Sequence, residues 1–305
     1  MNHKILIIQL RPGIGDLCMF LPRIHEIAKK YSGSSVTLMT KSRSKASEIL
    51  RYDPYIKEIF YIDEKNIKKK FKILFLFFKK NKFNLVFSYQ YGPKYLKYIF
   101  LAKLFKAKTF YYGVFKKNEN MMNKAILSNE LWLNIKIDER KSFIHLPKYN
   151  KTRSNQVIVG IGASGDNKRW STKNFTGLVK FLLEMNFEII ISGGPNETHI
   201  INEIKKYNNN DLKIISIEKY NIHDSIQIIK NAKYHIGNDS GFMHISACLG
   251  MKTFCLYGDT PSEDSAYNDL IIPILPEGYE RITHGSNLMD KISLENVKEK
   301  FLQNL

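Results

Sequence analysis

The chain has 305 residues, which as a length prior suggests about two domains. With 44% hydrophobic and 25% charged residues it has the make-up of a globular protein with a sizeable core, and this excludes disordered and fibrous classes. Its net charge of +18 favours acidic partners such as phosphorylated substrates, nucleic acid or an anionic membrane face, while a Lys, Asn and Ile bias of the source stays open as an origin of much of that charge.

Residues 4–8 read as a buried strand. This apolar start is too short for a signal-peptide core and runs straight into Arg11-Pro12-Gly13. The turn Arg11-Pro12-Gly13-Ile14-Gly15-Asp16 follows, and a helix is predicted over 16–30. Gly13 and Gly15 let the backbone turn tightly and approach a ligand. Asp16 falls at or near the helix cap, so it reads either as a capping acid or as a carboxylate presented to a ligand. The turn lacks the Gly-x-Gly-x-x-Gly pattern of a nicotinamide dinucleotide site.

Further strands are predicted over 35–39, 57–62, 84–89 and 109–112, with helical patterns in most of the gaps. Continuous apolar strands alternating with helices indicate a parallel sheet covered on both faces. The second strand ends without the acid that would hold a dinucleotide ribose, which argues further against a dehydrogenase. Between the third and fourth strands, Lys68-Lys69-Lys70 and Lys79, Lys80 and Lys82 flank an apolar centre, residues 71–78. Such a helix either covers the sheet or lies on an anionic leaflet. Its unbroken apolar run, 73–78, is far below the ~18 residues that cross a bilayer.

The polar stretch 147–155 breaks the alternation and reads as a linker between domains at 1–150 and 156–290. The pattern then restarts with strands over 156–161, 188–192, 212–217, 234–236 and 253–257. Helices are predicted over 172–184, 197–207, 222–231, 242–249 and 294–302. Three strand ends here carry chemistry. The first loop ends in Lys168-Arg169-Trp170, whose two cations suit a diphosphate. The second is Gly193-Gly194-Pro195-Asn196-Glu197, where Glu197 can accept from ribose hydroxyls or simply complement the helix dipole. The third, Asp239-Ser240-Gly241-Phe242-Met243-His244, leads into a helix whose free N–H groups suit a phosphate. Each loop alone can be a capped helix and nothing more. Ligands in open parallel sheets bind beyond the carboxyl ends of the strands, where all of these loops lie, so two such domains imply a cleft.

Cys18, Cys248 and Cys255 are odd in number and lack metal-like spacing. They read as reduced thiols, and with no leader pattern they point to the cytoplasm. No Asp-x-Asp pair occurs that would bridge a metal to a diphosphate, so no metal ligand is expected. Nucleic acid is not expected either, because no aromatic-interleaved binding motif accompanies the charge.

Gly15-Asp16, Lys168-Arg169-Trp170, Gly193-Gly194-Pro195-Asn196-Glu197 and Asp239-Ser240-Gly241-Phe242-Met243-His244, in this order, resemble family 9 glycosyltransferases, the ADP-heptose:lipopolysaccharide heptosyltransferases. The resemblance spans nearly the whole chain. It implies an α/β fold of two Rossmann-like domains facing a cleft, the glycosyltransferase B architecture, with a final helix at 291–305 packing back toward the first domain. It implies Asp16 as general base, Lys168 on the donor phosphates and Glu197 on the ribose, with Asp239, Ser240 and Gly241 lining the donor. Arg169, Gly193, Gly194 and His244 go with the donor side, and Gly13 and Gly15 with the acceptor loop. The implied activity is inverting, metal-independent transfer of heptose from ADP-heptose to a lipopolysaccharide-core or other surface-glycan acceptor. The nucleotide sugar is a co-substrate and no cofactor is expected. An anionic glycolipid acceptor would bring the protein to the cytoplasmic face of the inner membrane. The chain departs from the family at Tyr257-Gly258-Asp259-Thr260-Pro261, where Phe-Gly-Pro-Thr is usual, and this puts the donor sugar in doubt. A transferase using another nucleotide sugar and a non-catalytic nucleotide-sugar-binding protein are the alternatives.

Overall fold

The computed structural model describes residues 2–90, 92–112, 121–137, 141–147, 153–265 and 267–305. Contacts divide the chain into two compact units, one of Met1–Arg140 with Ile144–Pro147 and one of Lys141–Phe143 with Lys148–Leu305. The linker expected over 147–155 lies partly outside the described residues.

The first unit alternates β1 (Lys4–Ile8), α1 (Ile14–Lys30), β2 (Ser35–Thr40), α2 (Ala46–Ile49), β3 (Ile56–Tyr61), α3 (Ile67–Asn81), β4 (Leu85–Ser88), α4 (Leu96–Leu104), β5 (Lys108–Tyr111) and α5 (Met121–Leu133). Its five strands pair in parallel in the order β3-β2-β1-β4-β5. Ile5, Leu6, Ile7 and Ile8 are all fully buried, as a central strand covered on both faces requires. One face packs Leu6 and Ile8 with Leu74, Phe77 and Phe78 of α3 and with Tyr98 and Leu101 of α4. The basic segment therefore forms a sheet-covering helix. Ile73 and Phe71 are exposed on it, and its lysines point outward except for the half-buried Lys70.

The second unit follows the same grammar with β6 (Gln156–Gly160), α6 (Thr172–Glu184), β7 (Glu188–Ser192), α7 (Thr198–Tyr207), β8 (Ile214–Ser216), α8 (Ile222–Ile229), β9 (Tyr234–Asn238), α9 (Gly241–Cys248), β10 (Lys252–Leu256), β11 (Ile271–Ile274) and α10 (Leu294–Leu302). Its six-stranded order is β11-β10-β9-β6-β7-β8, all parallel. Renumbered within the unit, this is the 3-2-1-4-5-6 order of a doubly wound sheet. In both units the strand order reverses beside the first strand, at β1/β4 and at β6/β9, and that reversal is where such sheets hold ligands.

One feature differs from the sequence reading. Strand β11 is absent from it, because Pro273 demotes its run; the strand sits at the sheet edge, where a residue without an N–H is tolerated. The final helix is anchored in its own unit. Val297 and Phe301 of α10 lie in the second unit's core, where Phe301 contacts Phe187, Tyr234 and Phe254.

Candidate functional site

In the first unit the loop after β1 leads into α1, which starts at Ile14, so Asp16 is the third residue of the helix and not its cap. Its Oδ2 accepts from the Gly13 N–H at 3.0 Å and its Oδ1 from Arg11 Nε at 2.5 Å. Gly13 has no side chain to complete a reciprocal capping box, so only the acid's half of that motif is present. The carboxylate keeps 19% of its surface open while Arg11 is 52% exposed. The acid is thus held by a rigid backbone donor and a movable cation, and a ligand that displaces Arg11 gains an oriented acceptor.

In the second unit the loops after β6 and β9 meet at the switch point. Lys168 Nζ lies 3.7 Å from Asp239 Oδ2, and His244 Nε2 lies 3.5 Å from Asp239 Oδ1. The Tyr267 hydroxyl fixes the other ring nitrogen of His244 at 2.6 Å. Burial alone would raise the Asp239 carboxyl, but His244 and Lys168 outweigh it and hold the group below the usual carboxylate range. Ser240 caps α9 without a side-chain bond, so its hydroxyl leaves the first N–H groups of that helix, from Gly241 onward, uncapped. A half-exposed ammonium beside helix N–H groups that the cap side chain leaves uncapped suits a diphosphate.

The third loop is built differently. Glu197 Oε2 accepts from the Gly194 N–H at 2.7 Å and its Oε1 from Arg169 Nη2 at 3.0 Å. Arg169 Nη1 also bonds Asp166 at 2.5 Å. The guanidinium is committed to two carboxylates, which makes Arg169 the holder of Glu197, in contrast with the diphosphate-neutralising role its neighbourhood suggests in sequence. Gly193 permits the close approach of this loop to its neighbour: a Cβ there would come within 3.2 Å of both Ile161 Cγ1 and Glu197 Cβ.

Two residues that organise these loops carry no role in the sequence reading. Buried Asn238 accepts from the Trp170 N–H at 3.1 Å and donates to the Ile161 carbonyl at 2.9 Å, which ties the loop after β6 to the end of β9. The signal available in sequence is a polar amide closing a strand, a position such residues avoid without a partner. Asp259, the departure from the family pattern, is buried; it accepts from Asn167 Nδ2 at 2.6 Å and from the Asn287 N–H at 2.8 Å. It fastens the loop that carries Lys168. On β9, the buried His235 bonds Ser246 Oγ through Nδ1 at 2.8 Å, and burial pushes its pKa down to about 3. Its ring fills the space a side chain at Gly160 would need, 2.5 Å from that Cβ position. Cys18, Cys248 and Cys255 are buried, and none of them is in a disulfide.

Residues 102–279, more than half of the chain, match the model of Glycosyltransferase family 9 (heptosyltransferase). The chain is 26% identical to lipooligosaccharide heptosyltransferase 2 of Campylobacter jejuni over 270 residues, 84% of this chain and 82% of that protein. It is 26% identical to lipooligosaccharide heptosyltransferase 2 of Haemophilus influenzae over 99 residues, which span 32% of this chain and only 29% of that relative. Two structures of the Escherichia coli heptosyltransferase WaaC, one with ADP and one with ADP-2-deoxy-2-fluoro heptose, match with TM-scores of 0.76 and 0.77. Each shares 14% identity and the matches cover 99% of this chain and 100% of that one, a likeness of fold. Among the described residues no helix is long and apolar enough to cross a membrane.

Proposed function

The chain belongs to glycosyltransferase family 9, and from that premise we propose that it transfers heptose from ADP-heptose to a lipopolysaccharide-core or related surface-glycan acceptor, with inversion and without a metal. The observation that carries this reading is the Lys168–Asp239–His244 cluster beside the open N-terminus of α9, at the switch point of the second sheet. A nucleoside diphosphate leaving group develops negative charge as the glycosidic bond breaks. Lys168 and the α9 N–H groups meet that charge in a site already oriented, which is where electrostatic stabilisation is strongest. Asp239 competes for Lys168 across only a long 3.7 Å ion pair, so an incoming phosphate can take the ammonium over. Glu197, fixed by Gly194 and Arg169, has lone pairs left for the ribose hydroxyls.

An acceptor hydroxyl is a poor nucleophile at neutral pH, and a carboxylate within hydrogen-bond reach takes its proton as the new bond forms. Asp16 fills this role once Arg11 moves aside. One base and one displacement give inversion at the anomeric carbon. A second reading, a nucleotide-sugar-binding protein without turnover, is favoured by one observation: both Asp16 oxygens already accept hydrogen bonds, as they would in a helix cap.

The proposed setting is the cytoplasmic face of the inner membrane. Phe71 and Leu76 of α3 and Leu96 and Phe100 of α4 are exposed among lysines, which suits peripheral, salt-sensitive contact with anionic lipid. Co-sedimentation with anionic but not neutral vesicles, decreasing with salt, is the expected result.

The deciding experiment offers ADP-heptose and other nucleotide sugars with a heptose-deficient core acceptor in excess chelator. Mass spectrometry reads transfer and NMR reads the anomeric configuration. The expected product gains one heptose with inverted configuration. Donor-dependent thermal stabilisation without product from any donor would support the binding-protein reading. Loss of turnover that only added metal restores would overturn the metal-free mechanism.

A further inference from the structure

A second cluster of chemically capable side chains lies in the first unit and takes no part in the proposed transfer. His25 projects from α1, Asp53 from the turn after α2, and His145 from the stretch Ile144–Pro147. Their nearest ligand atoms all lie within 4.8 Å of one another. His25 and Asp53 are buried, and His145 is half-buried.

The cluster has the supporting contacts of a metal site. Asp53 Oδ2 lies 2.7 Å from His25 Nε2, while Oδ1 accepts from the Tyr55 and Ile56 N–H groups at 2.9 and 3.0 Å. Those backbone bonds fix the direction of the carboxylate, the service that outer-shell partners give a ligating side chain. The Tyr55 ring stands 5.3 Å from the His25 ring and 5.6 Å from that of His145, and the two imidazoles are 5.4 Å apart. Aromatic walls of this kind hold imidazoles in place.

We propose that His25, Asp53 and His145 bind a borderline divalent cation, Zn2+ foremost, which fastens the Ile144–Pro147 stretch to the rest of the first unit. The donor set selects the ion class. Two imidazole nitrogens and one carboxylate suit zinc and its neighbours, whereas magnesium and calcium require oxygen ligands throughout. Bonds of about 2.0–2.1 Å in a tetrahedral site put donors about 3.3 Å apart. The 2.7 Å contact between His25 and Asp53 then opens slightly, and pairs spread toward the 4.8 Å limit close by about 1.5 Å. Rotation of the half-exposed His145 ring supplies most of that movement. Three protein ligands leave the fourth position of a tetrahedral ion to water. Sequence spacing cannot reveal the site, because its ligands come from three separate parts of the chain.

The test uses the full chain stripped of metal and titrated with Co2+, whose visible absorption reports low-coordinate nitrogen and oxygen ligation. One Co2+ per chain should bind in the micromolar range, be displaced by Zn2+, and raise the thermal midpoint. His145→Ala, at the half-exposed ligand, should keep its far-UV dichroism and weaken binding by more than the about 10–100-fold that loss of an outer-shell partner costs. His3→Ala and His284→Ala should bind like the parent. Absence of saturable one-to-one binding overturns the proposal, as does binding that His145→Ala leaves unchanged. The inference stands apart from the transfer mechanism: chelation should lower the thermal midpoint while turnover per folded molecule at low temperature persists.

Discussion

Asp16 in the first unit and Glu197 in the second are held by the same local device. Each is an acid early in a helical turn, each accepts from the N–H of a glycine three residues earlier, and each pairs with an arginine. Their surroundings separate them. Asp16 and Arg11 are 19% and 52% exposed, whereas Glu197 and Arg169 are 9% and 23% exposed, and Arg169 is shared with Asp166. One motif thus yields a carboxylate that can be uncovered and another that is fixed. The difference teaches that the local pattern supplies orientation, while burial of the partner cation decides whether the acid is a working group or a platform.

The largest test of that contrast is Asp16→Asn. The amide keeps an acceptor for the Gly13 N–H, so the fold and donor affinity should hold, while turnover falls by about 10²–10⁴-fold with the loss of a general base. Donor affinity by calorimetry and kcat on the same preparation separate the two readings. A variant that is merely less stable and equally active per folded molecule would make Asp16 a structural acid of the helix's first turn.

Next in size is a matched pair, Arg169→Gln and Arg11→Gln. Removing Arg169 strands a largely buried carboxylate and should destabilise the protein by about 3 kcal/mol. Arg11 faces solvent, so its loss should cost under about 1 kcal/mol. Denaturant unfolding measures both. Equal costs would show that the two devices do not differ in the way their exposure implies.

Lys168→Met addresses the donor side itself. Loss of the one cation proposed to meet the diphosphate should weaken transfer by about 10–100-fold, with the deficit larger for nucleoside diphosphate than for nucleoside monophosphate. Equal effects on both nucleotides would place Lys168 away from the second phosphate.

The contrast also explains what was legible in the sequence. Continuous apolar strands such as 4–8 and 188–192 declare a parallel sheet on their own, and the glycine-bearing loops after them mark its ligand-binding edge. Position within a loop is less legible. Arg169 sits beside Lys168 in sequence and looks like a second phosphate cation, yet its guanidinium is taken by Asp166 and Glu197, and only the fold shows that competition. Asp259 reads as a departure from a family pattern, and its role as a fastener depends on Asn167, 92 positions away. Strand β11 escapes because Pro273 obeys an edge rule that requires knowing where the edge is. Val297 and Phe301 announce an amphipathic helix, but no periodicity says which core receives it.

The smallest expected effect concerns acid stability, and it too divides the units. At the switch point β9 places His235 against Ile158, where β4 of the first unit places Val86 against Leu6. Burial holds the His235 pKa at about 3, against 6.5 for a free side chain. A depressed folded-state pKa means that the unfolded chain takes up a proton below pH 6.5 while the folded chain refuses it until about pH 3. The folded state therefore has its full stability above pH 6.5 and loses it as the pH falls through that window, at up to about 1.4 kcal/mol per pH unit. His235→Gln carries no titrating ring, so its stability should fall less steeply between pH 6.5 and 4. Stopping at pH 4 leaves out Asp239, whose own depressed pKa acts only below the free carboxylate value of 3.8. The chain has two tryptophans, Trp132 in the first unit and the buried Trp170 in the second, so a Trp132→Phe background reports the second unit alone. In that background, denaturant unfolding at several pH values compares slopes, and any fixed cost of the substitution cancels. The half-buried His145, also depressed by burial, titrates identically in both proteins and drops out of the difference. Parallel curves would show that His235 gains its proton without opening the second unit, and that the acid sensitivity lies elsewhere.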